Sequence, residues 1–215
     1  MNDYYNSFRD GQFDKIFTSQ SKLRSTILEE FLCILFEDLI DEMRKKLDTE
    51  NLSSGGVKAY SNLYFSSENL KQFVTEPTIG VNQKDQDYAI YRPLTISVNG
   101  YFKKEINLPI VSIEAKTYID KTMLEGSIAT AEKIKSGNPY AKFYMVSETY
   151  EVDQSVDPAY SRIDQIFVLR KSDVRGADKP IDDKVVISLY KEVKNHLGRE
   201  WGNIKKKLSE SGKII

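Results

Sequence analysis

The segment from residue 108 to residue 147 constrains the fold more than any other part of this sequence. It begins as an apolar strand, LPIVSIEAKTY, continues with apolar residues at helical spacing over 120–137, and ends in a second apolar strand, AKFYMVS. A strand, a helix and a strand within this length are typical of a right-handed βαβ crossover, which makes the two strands parallel neighbours in one sheet. The sequence therefore predicts an α/β fold built on that sheet.

Helix and strand patterns on either side of this unit complete the predicted fold. Ser21 to Leu47 has the spacing of a long amphipathic helix, and the Ser-Ser-Gly-Gly stretch at 53–56 indicates a loop. The other predicted elements are an ambiguous strand at 57–65, a short helix at 67–74, strands at 87–91, 94–102 and 163–170, and a closing helix at 185–208. Together they predict a mixed central sheet flanked by helices.

Length and composition suit a single domain. The chain has 215 residues, 40% of them hydrophobic, with a predicted N-terminal helical part to about residue 56, a core at about 57–170 and a C-terminal helical part at about 171–215. With 31 basic and 32 acidic residues, its formal net charge is -1. No global charge draws the protein to a polyanion, so any such binding would need a local patch.

Two rare residue types narrow the possible chemistry. Cys33, the only cysteine, lies in the apolar run FLCILF and is expected to be a buried thiol of the core. His196, the only histidine, is expected on a solvated helix, which argues against a His-based triad or a multi-histidine zinc site. No apolar run approaches the roughly 18 residues of a membrane span, so we expect a cytoplasmic protein without membrane contact.

An acid and a lysine stand two residues apart near the end of the apolar strand. Because side chains alternate along a strand, Glu114 and Lys116 share one face, whereas Ile113 and Ala115 face the other way. Taken alone, Glu-x-Lys is most simply a solvated ion pair. The apolar strand before it and the helix after it favour a functional site, since ligands of open α/β sheets bind at the carboxyl ends of strands.

A further acid upstream completes a possible metal site. Asp87 begins the strand DYAIY, and the chain between it and Glu114 is long enough to bring both carboxylates to one edge of the sheet. Two carboxylates, with the backbone carbonyl of Ala115, water and phosphate oxygens, would bind a hard cation such as Mg²⁺. Lys116 could orient or activate an attacking water. Asp85 shares a face with Asp87 and remains an alternative first acid.

This order of residues resembles the PD-(D/E)xK nuclease superfamily over about residues 21–170. Asp87 in DYAI matches the first acid, and Glu114 and Lys116 in IEAK match the second acid and the lysine. Gln86 stands where a proline often precedes the first acid. The resemblance implies a restriction-endonuclease-like core, with Asp87, Glu114 and Lys116 as its catalytic residues.

The first predicted helix carries two acids, Glu29 and Glu30, in STILEEFL. An acid of the first helix often supports the metal in the superfamily, so the resemblance implies that role for Glu30 or for Glu29. The sequence leaves the choice open, and either residue could instead be a solvated helix acid.

Four segments give a closer likeness. STILEEFL, KDQDYAI, IEAKTYIDKTMLEGS and RIDQIFVLRK together are similar to the BbvCI-like type II restriction endonucleases. This resemblance implies a Mg²⁺-dependent enzyme that hydrolyses double-stranded DNA at a short specific sequence. It also implies a homodimer, or a heterodimer with a related nuclease subunit, in which each subunit nicks one strand.

Basic and polar residues expected around the same edge of the sheet are candidates for DNA contact. They are Lys22, Arg24, Lys58, Tyr60, Asn62, Arg92, Lys121 and Arg162. Each has a simple alternative as a solvated surface residue. Two other functions stay open: a repair or recombination nuclease of the same fold, and a non-catalytic DNA-binding subunit in which Glu114 and Lys116 only pair with each other.

Overall fold

The computed structural model describes residues 22–98, 100, 102–175 and 179–212, with the backbone alone for residues 22–26. The helices are α1 (Lys22–Leu47), α2 (Leu70–Thr75), α3 (Lys121–Gly137), α4 (Asp183–Gly198) and α5 (Ile204–Glu210). The strands are β1 (Ser53–Ser66), β2 (Thr78–Val98), β3 (Phe102–Ile119), β4 (Lys142–Tyr150) and β5 (Gln165–Val168). None of the described helices is both long and apolar enough to cross a membrane.

One five-stranded sheet in the order β1-β2-β3-β4-β5 forms the centre of the protein. β2 pairs antiparallel with β1 and with β3, whereas β3, β4 and β5 run parallel to one another. Because α3 connects β3 to β4, the predicted strand, helix and strand unit with parallel neighbours is confirmed. The predicted α/β fold with a mixed sheet flanked by helices is confirmed as well.

Two apolar cores lie on opposite faces of the sheet. On the first face, Leu32 of α1 and Leu189 of α4 belong to a core that includes Ile113 of β3. On the second face, Leu124 of α3 belongs to a core that includes Phe143 of β4. Full burial of a side chain of this size contributes roughly 1.5–3 kcal/mol. The first core, which includes Ile113 and Ala115, anchors the part of β3 that carries the acid and the lysine.

The crossover helix α3 is fixed at both ends. Asp120 caps its N-terminus, where the side chain accepts a hydrogen bond from a backbone N–H of the first turn. At the other end, the side chain of Asn138 donates to the carbonyl of Pro109 in β3 at 2.8 Å. β1 crosses the last turns of α3, and Ser61 Oγ donates to a carbonyl there at 3.1 Å. These contacts fix α3 and β1 relative to β3.

Several element boundaries differ from the prediction, and three of the differences change an element. Residues 53–56, predicted as a loop, begin strand β1. Residues 87–91 and 94–98, predicted in two strands, belong to one long strand, β2, which begins at Thr78 and continues through Pro93, whereas Phe102 already begins β3. Beyond Tyr91 this strand has no pairing to β1, and a proline is tolerated on such an open edge. The predicted closing helix is broken after Gly198, between α4 and α5.

Two single residues are not where the sequence predicted. Cys33 is exposed, because it lies one position past the buried Leu32 and therefore on a side of α1 that does not face the core. His196 is buried rather than solvated, and its ring stacks on that of Trp201 with centroids 5.0 Å apart. The predictions of a buried thiol and a solvated histidine are therefore wrong.

Candidate active site

β2 and β3 separate next to the acid and lysine pair of β3. The last pair of the ladder between them is Tyr88 opposite Ile113. Asp87 and Glu114, the next residue on each strand, therefore lie where the two strands part. Such a gap leaves the facing backbone groups of β2 and β3 without pairing to each other, although β2 still pairs with β1 and β3 with β4.

An irregularity of β2 coincides with this gap. Two steps along β1, from Gly55 to Val57, correspond to three steps along β2, from Ala89 to Gln86. β2 thus contains one extra residue, which makes a β-bulge that includes Asp87. Gly55 has a φ of 129°, a conformation that glycine adopts readily, so β1 can pass the bulge without strain. Bulges re-aim side chains, and this one turns Asp87 toward β3.

Asp87, Glu114 and Lys116 meet in the gap. Oδ2 of Asp87 accepts hydrogen bonds from the backbone N of Ala115 at 2.8 Å and from Nζ of Lys116 at 3.2 Å. The same ammonium lies 2.9 Å from Oε1 of Glu114. The side chains are 27%, 19% and 28% exposed, in the order Asp87, Glu114, Lys116. The structure therefore brings together the three residues predicted as catalytic, in a position that solvent can reach.

The alternation of side chains along β3 is as predicted. Ile113 and Ala115 are buried in the core against α1 and α4. Glu114 and Lys116 point to the opposite side, as neighbours two residues apart on a strand must. The apolar residues thus fix the strand, while the charged ones remain at its accessible side.

Burial and neighbouring charges perturb both members of the pair on β3. Burial raises the pKa of Glu114, and Asp87 adds to this effect, whereas Lys116 and Lys84 act in the opposite direction. Burial alone would lower the pKa of Lys116, but the carboxylates of Glu114 and Asp87 outweigh it and raise this pKa above its ordinary value. Lys116 is therefore an ammonium group held between two carboxylates.

α1 contributes Glu29 to this charged cluster. Burial raises the pKa of Glu29; the nearby charge of Asp87 raises it further, and that of Lys116 lowers it. The next residue, Glu30, is exposed. Of the two acids that the sequence left open, Glu29 is the one coupled electrostatically to the site.

The donor groups at the gap suit a hard divalent cation. The N–H and C=O of a strand residue point to the same side, so the carbonyl of Ala115 faces the gap together with the N–H that Asp87 accepts from. Gln86, next to Asp87 in the chain, has a buried oxygen, Oε1, without a hydrogen-bond partner in the described part of the chain. This oxygen can accept a hydrogen bond from an ordered water.

Among the described residues, no group of three or more His, Cys, Asp or Glu side chains could hold a metal ion. A cation at the gap would thus have two carboxylates, Asp87 and Glu114, with the Ala115 carbonyl, water and phosphate oxygens as its other ligands. Mg²⁺ accepts such a set, because it usually retains several waters and binds through one or two carboxylates.

The predicted DNA-contact residues are distributed over several elements. Lys58, Tyr60 and Asn62 lie on β1, Arg92 on β2, Lys121 at the start of α3 and Arg162 before β5. Lys22 and Arg24 are in the first turns of α1, and their side chains lie outside the described part of the structure. Arg162 pairs with Glu132 at 3.0 Å, and Asn62 accepts a hydrogen bond from Asn82 at 2.9 Å. A role in DNA binding remains a prediction for all eight.

Sequence reasoning missed Lys84, which is near enough to Glu114 to affect its pKa. It also treated Gln86 only as a replacement for proline. Both residues lie in the segment KDQDYAI. Simple alternation could not place them, because the bulge at Asp87 changes which face of β2 each residue occupies.

Comparison with known proteins places the chain in a family. The model of the Bpu10I restriction endonuclease family matches residues 20–185. The chain belongs to this family. Among solved structures, a chain of the native BbvCI A2B2 tetramer is similar, with a TM-score of 0.55 and 19% sequence identity, over 90% of this chain and 86% of that chain. A comparison with curated proteins finds no match.

These findings confirm the resemblance read from the four motif segments. The family match covers α1, the sheet and α3, and therefore all the residues of the gap between β2 and β3. At this level of identity, the likeness to the BbvCI chain shows a shared fold. The chain is thus a BbvCI-like member of a restriction endonuclease family.

Proposed function

We propose that this chain is a Mg²⁺-dependent type II restriction endonuclease, or a subunit of one, that hydrolyses double-stranded DNA at a short specific sequence. The observation that carries the proposal is the meeting of Asp87, Glu114 and Lys116 at the gap between β2 and β3. Membership of a restriction endonuclease family supports it. The proposal also locates the protein in the cytoplasm.

In this proposal, Asp87, Glu114 and the carbonyl of Ala115 hold Mg²⁺, and Glu29 rather than Glu30 supports the site from α1. When bound, the cation would lower the pKa of a water and offset negative charge on the phosphate. Because the backbone N–H of Ala115 and Nζ of Lys116 both donate to Asp87, this carboxylate is held in one orientation. The site is therefore organised before DNA arrives.

Lys116 positions the reactants in this proposal. As an ammonium group, it donates hydrogen bonds to the attacking water or to a phosphate oxygen and stabilises the negative charge that develops on that oxygen. The attacking water loses a proton to solvent as its oxygen bonds to phosphorus; the bond from phosphorus to O3′ breaks, and O3′ takes up a proton from solvent. The products are a 5′-phosphate and a 3′-hydroxyl.

Cutting both DNA strands needs a second site, because one chain contributes one Asp87, Glu114 and Lys116 cluster. The similar BbvCI structure is an A2B2 tetramer, an assembly with two kinds of subunit. We therefore propose that this chain acts with a second copy of itself or with a related nuclease subunit. Its predicted DNA contacts would direct the duplex to the gap.

A plasmid assay tests the proposed activity. Purified protein, alone and with the product of an adjacent open reading frame, is incubated with a sequenced supercoiled plasmid and Mg²⁺. We expect discrete nicks or fragments whose ends map to one short sequence. Glu114→Gln or Lys116→Ala should reduce cleavage by at least about 100-fold without loss of the fold, whereas Glu125→Gln on the exposed side of α3 should have no effect. Full activity of either site variant would refute the proposal.

One observation favours a second candidate, a non-catalytic DNA-binding subunit. Lys116 already pairs with both carboxylates, as it would in a purely structural ion-pair cluster. Calorimetric titration with Mg²⁺ and Ca²⁺ separates the two functions. Binding that disappears in Asp87→Asn supports the nuclease, since an ion pair alone has no reason to bind a divalent cation.

A further inference from the structure

Lys84 faces the same side of the sheet as Glu114. In the β1–β2 ladder Ala59 is opposite Lys84, and in the β2–β3 ladder Ala89 is opposite Ser112. Gly55 is opposite Ala89 and shares a face of β1 with Ala59, since residues two or four apart on a strand do so. Paired residues also share a face, so Lys84, Ala89, Ser112 and Glu114 all lie on the α3 side of the sheet.

The environment of Lys84 is unusual for a lysine. Its side chain is partly buried, yet it makes neither an ion pair nor a hydrogen bond with any residue that the structure describes. On β2 it lies three residues before Asp87, the carboxylate that pairs with Lys116. Lys116, by contrast, is held by two carboxylates. Lys84 is therefore a lysine without a partner among the described residues, on the face of the sheet that Glu114 occupies, where its ammonium group is free to pair with an anion.

The formal charges at the gap show which anion fits. Asp87, Glu114 and Glu29 carry three negative charges, and Lys84 and Lys116 carry two positive ones. A divalent cation would change the balance from one net negative to one net positive charge. A DNA phosphodiester carries one negative charge and would neutralise it.

We propose that Lys84 is a phosphate-binding residue of the cleavage site, which contacts the scissile phosphate or the one beside it; this inference rests on the proposed function. Lys84 is not needed to hold the metal in this arrangement. It contributes the second positive charge on the side of the sheet that Glu114 and Lys116 occupy.

Three variants test the inference in the assembly that cleaves the plasmid. Lys84→Gln removes the charge, Lys84→Arg retains it, and Lys191→Gln removes an exposed lysine of α4, on the other face of the sheet. Loss of a charged hydrogen bond corresponds to a decrease of about 10- to 100-fold in kcat/KM for Lys84→Gln. Lys84→Arg should retain much of the wild-type kcat/KM, and Lys191→Gln should have the same kcat/KM as wild type.

Two further measurements distinguish phosphate binding from a merely structural role. With Ca²⁺ in place of Mg²⁺, and a duplex carrying the mapped site, the slope of log affinity against log salt should decrease by about one for Lys84→Gln. The Mg²⁺ concentration for half-maximal cleavage should fall or stay the same, because a positive charge near Glu114 has been removed.

The outcomes separate this inference from the proposed function. If wild type cleaves but Lys84→Gln cleaves equally well with the same salt slope, the inference is wrong and the proposed function stands. If Lys84→Gln is impaired only through loss of thermal stability, the inference is wrong as well. If wild type neither cleaves nor binds divalent cations, the proposed function fails and the inference fails with it.

Discussion

Glu29 and Glu30 are adjacent on α1, yet only Glu29 is partly buried and has a pKa affected by the charges of Asp87 and Lys116. If Glu29 supports the metal, Glu29→Gln should raise the Mg²⁺ concentration for half-maximal cleavage by about tenfold, since residues that support metal ligands typically contribute 10- to 100-fold in affinity or activity. Glu30→Gln is the matched control and should behave as wild type. A Mg²⁺ titration of plasmid cleavage measures both. Equal effects of the two variants would contradict the role of Glu29.

Because His196 is buried, we expect the free energy of unfolding to depend on pH, independently of the active site. Burial and the nearby positive charges of Arg199 and Lys142 together lower the pKa of His196 to about 4, whereas Asp164 acts in the opposite direction. The unfolded chain has a histidine pKa near 6.5, so below pH 6.5 the unfolded state binds the proton first. The free energy of unfolding should therefore decrease by up to about 3 kcal/mol as pH falls from 6.5 to 4.

His196→Phe isolates this contribution from that of the carboxylates. The variant retains an aromatic ring against Trp201 but cannot titrate. Urea unfolding at several pH values should show a weaker pH dependence in the variant between pH 6.5 and 4. Parallel curves for wild type and variant would show that His196 does not titrate as the structure indicates.

For single residues, the sequence predicts the position of a side chain where that position depends only on the local backbone. Alternation along an apolar strand was sufficient to put Glu114 and Lys116 on one face. It could not decide between Glu29 and Glu30 or place Cys33, because both depend on how α1 is rotated about its axis against the sheet. That rotation results from packing of residues such as Leu32 against distant strands.

At the level of elements, the bulge in β2 escaped sequence analysis for a similar reason. A bulge is a property of two strands, and its register with Gly55 of β1 becomes visible only when both are paired. Gly55, Gly56 and Pro93 are residue types that normally indicate loops, but here all three lie in strands. The glycines lie beside the bulge, and Pro93 lies on an open edge. The sequence did not reveal the positions of Lys84 and Gln86 for the same reason, because the bulge changes the face of β2 on which each residue lies.

The packing of β1 over α3 is sensitive to one glycine. A Cβ on Gly137 would overlap the carbonyl oxygen of Ser61, whereas a Cβ on Gly126 of the same helix would meet no atom within 4 Å. Gly137→Ala should lower the free energy of unfolding by at least about 2 kcal/mol, because backbone must move. Gly126→Ala should raise it by up to about 1 kcal/mol, because alanine favours a helix. Urea denaturation measures both, and similar stabilities of the two variants would contradict this packing.

At the scale of the whole molecule, topology was the most predictable property. The strand, helix and strand unit at 108–147 required a parallel pair, and the sheet is built outward from that pair. The net charge of -1 was informative too, since it directs attention to local charge at the gap rather than to the surface as a whole. The sequence does not predict assembly with a partner, because the surfaces that bind partners have no simple sequence pattern.

If each subunit cuts one DNA strand, an assembly in which only one of the two sites is intact should give a distinct product. Because one chain supplies one site, an assembly of Glu114→Gln chains with an intact related subunit should nick the plasmid without linearising it. All nicks should lie on the same DNA strand, as sequencing of the open-circular product would show. With a homodimer instead, an equal mixture of wild-type and Glu114→Gln chains should accumulate nicks on either strand. Efficient linearisation by an assembly with only one intact site would mean that a single site can cut both strands.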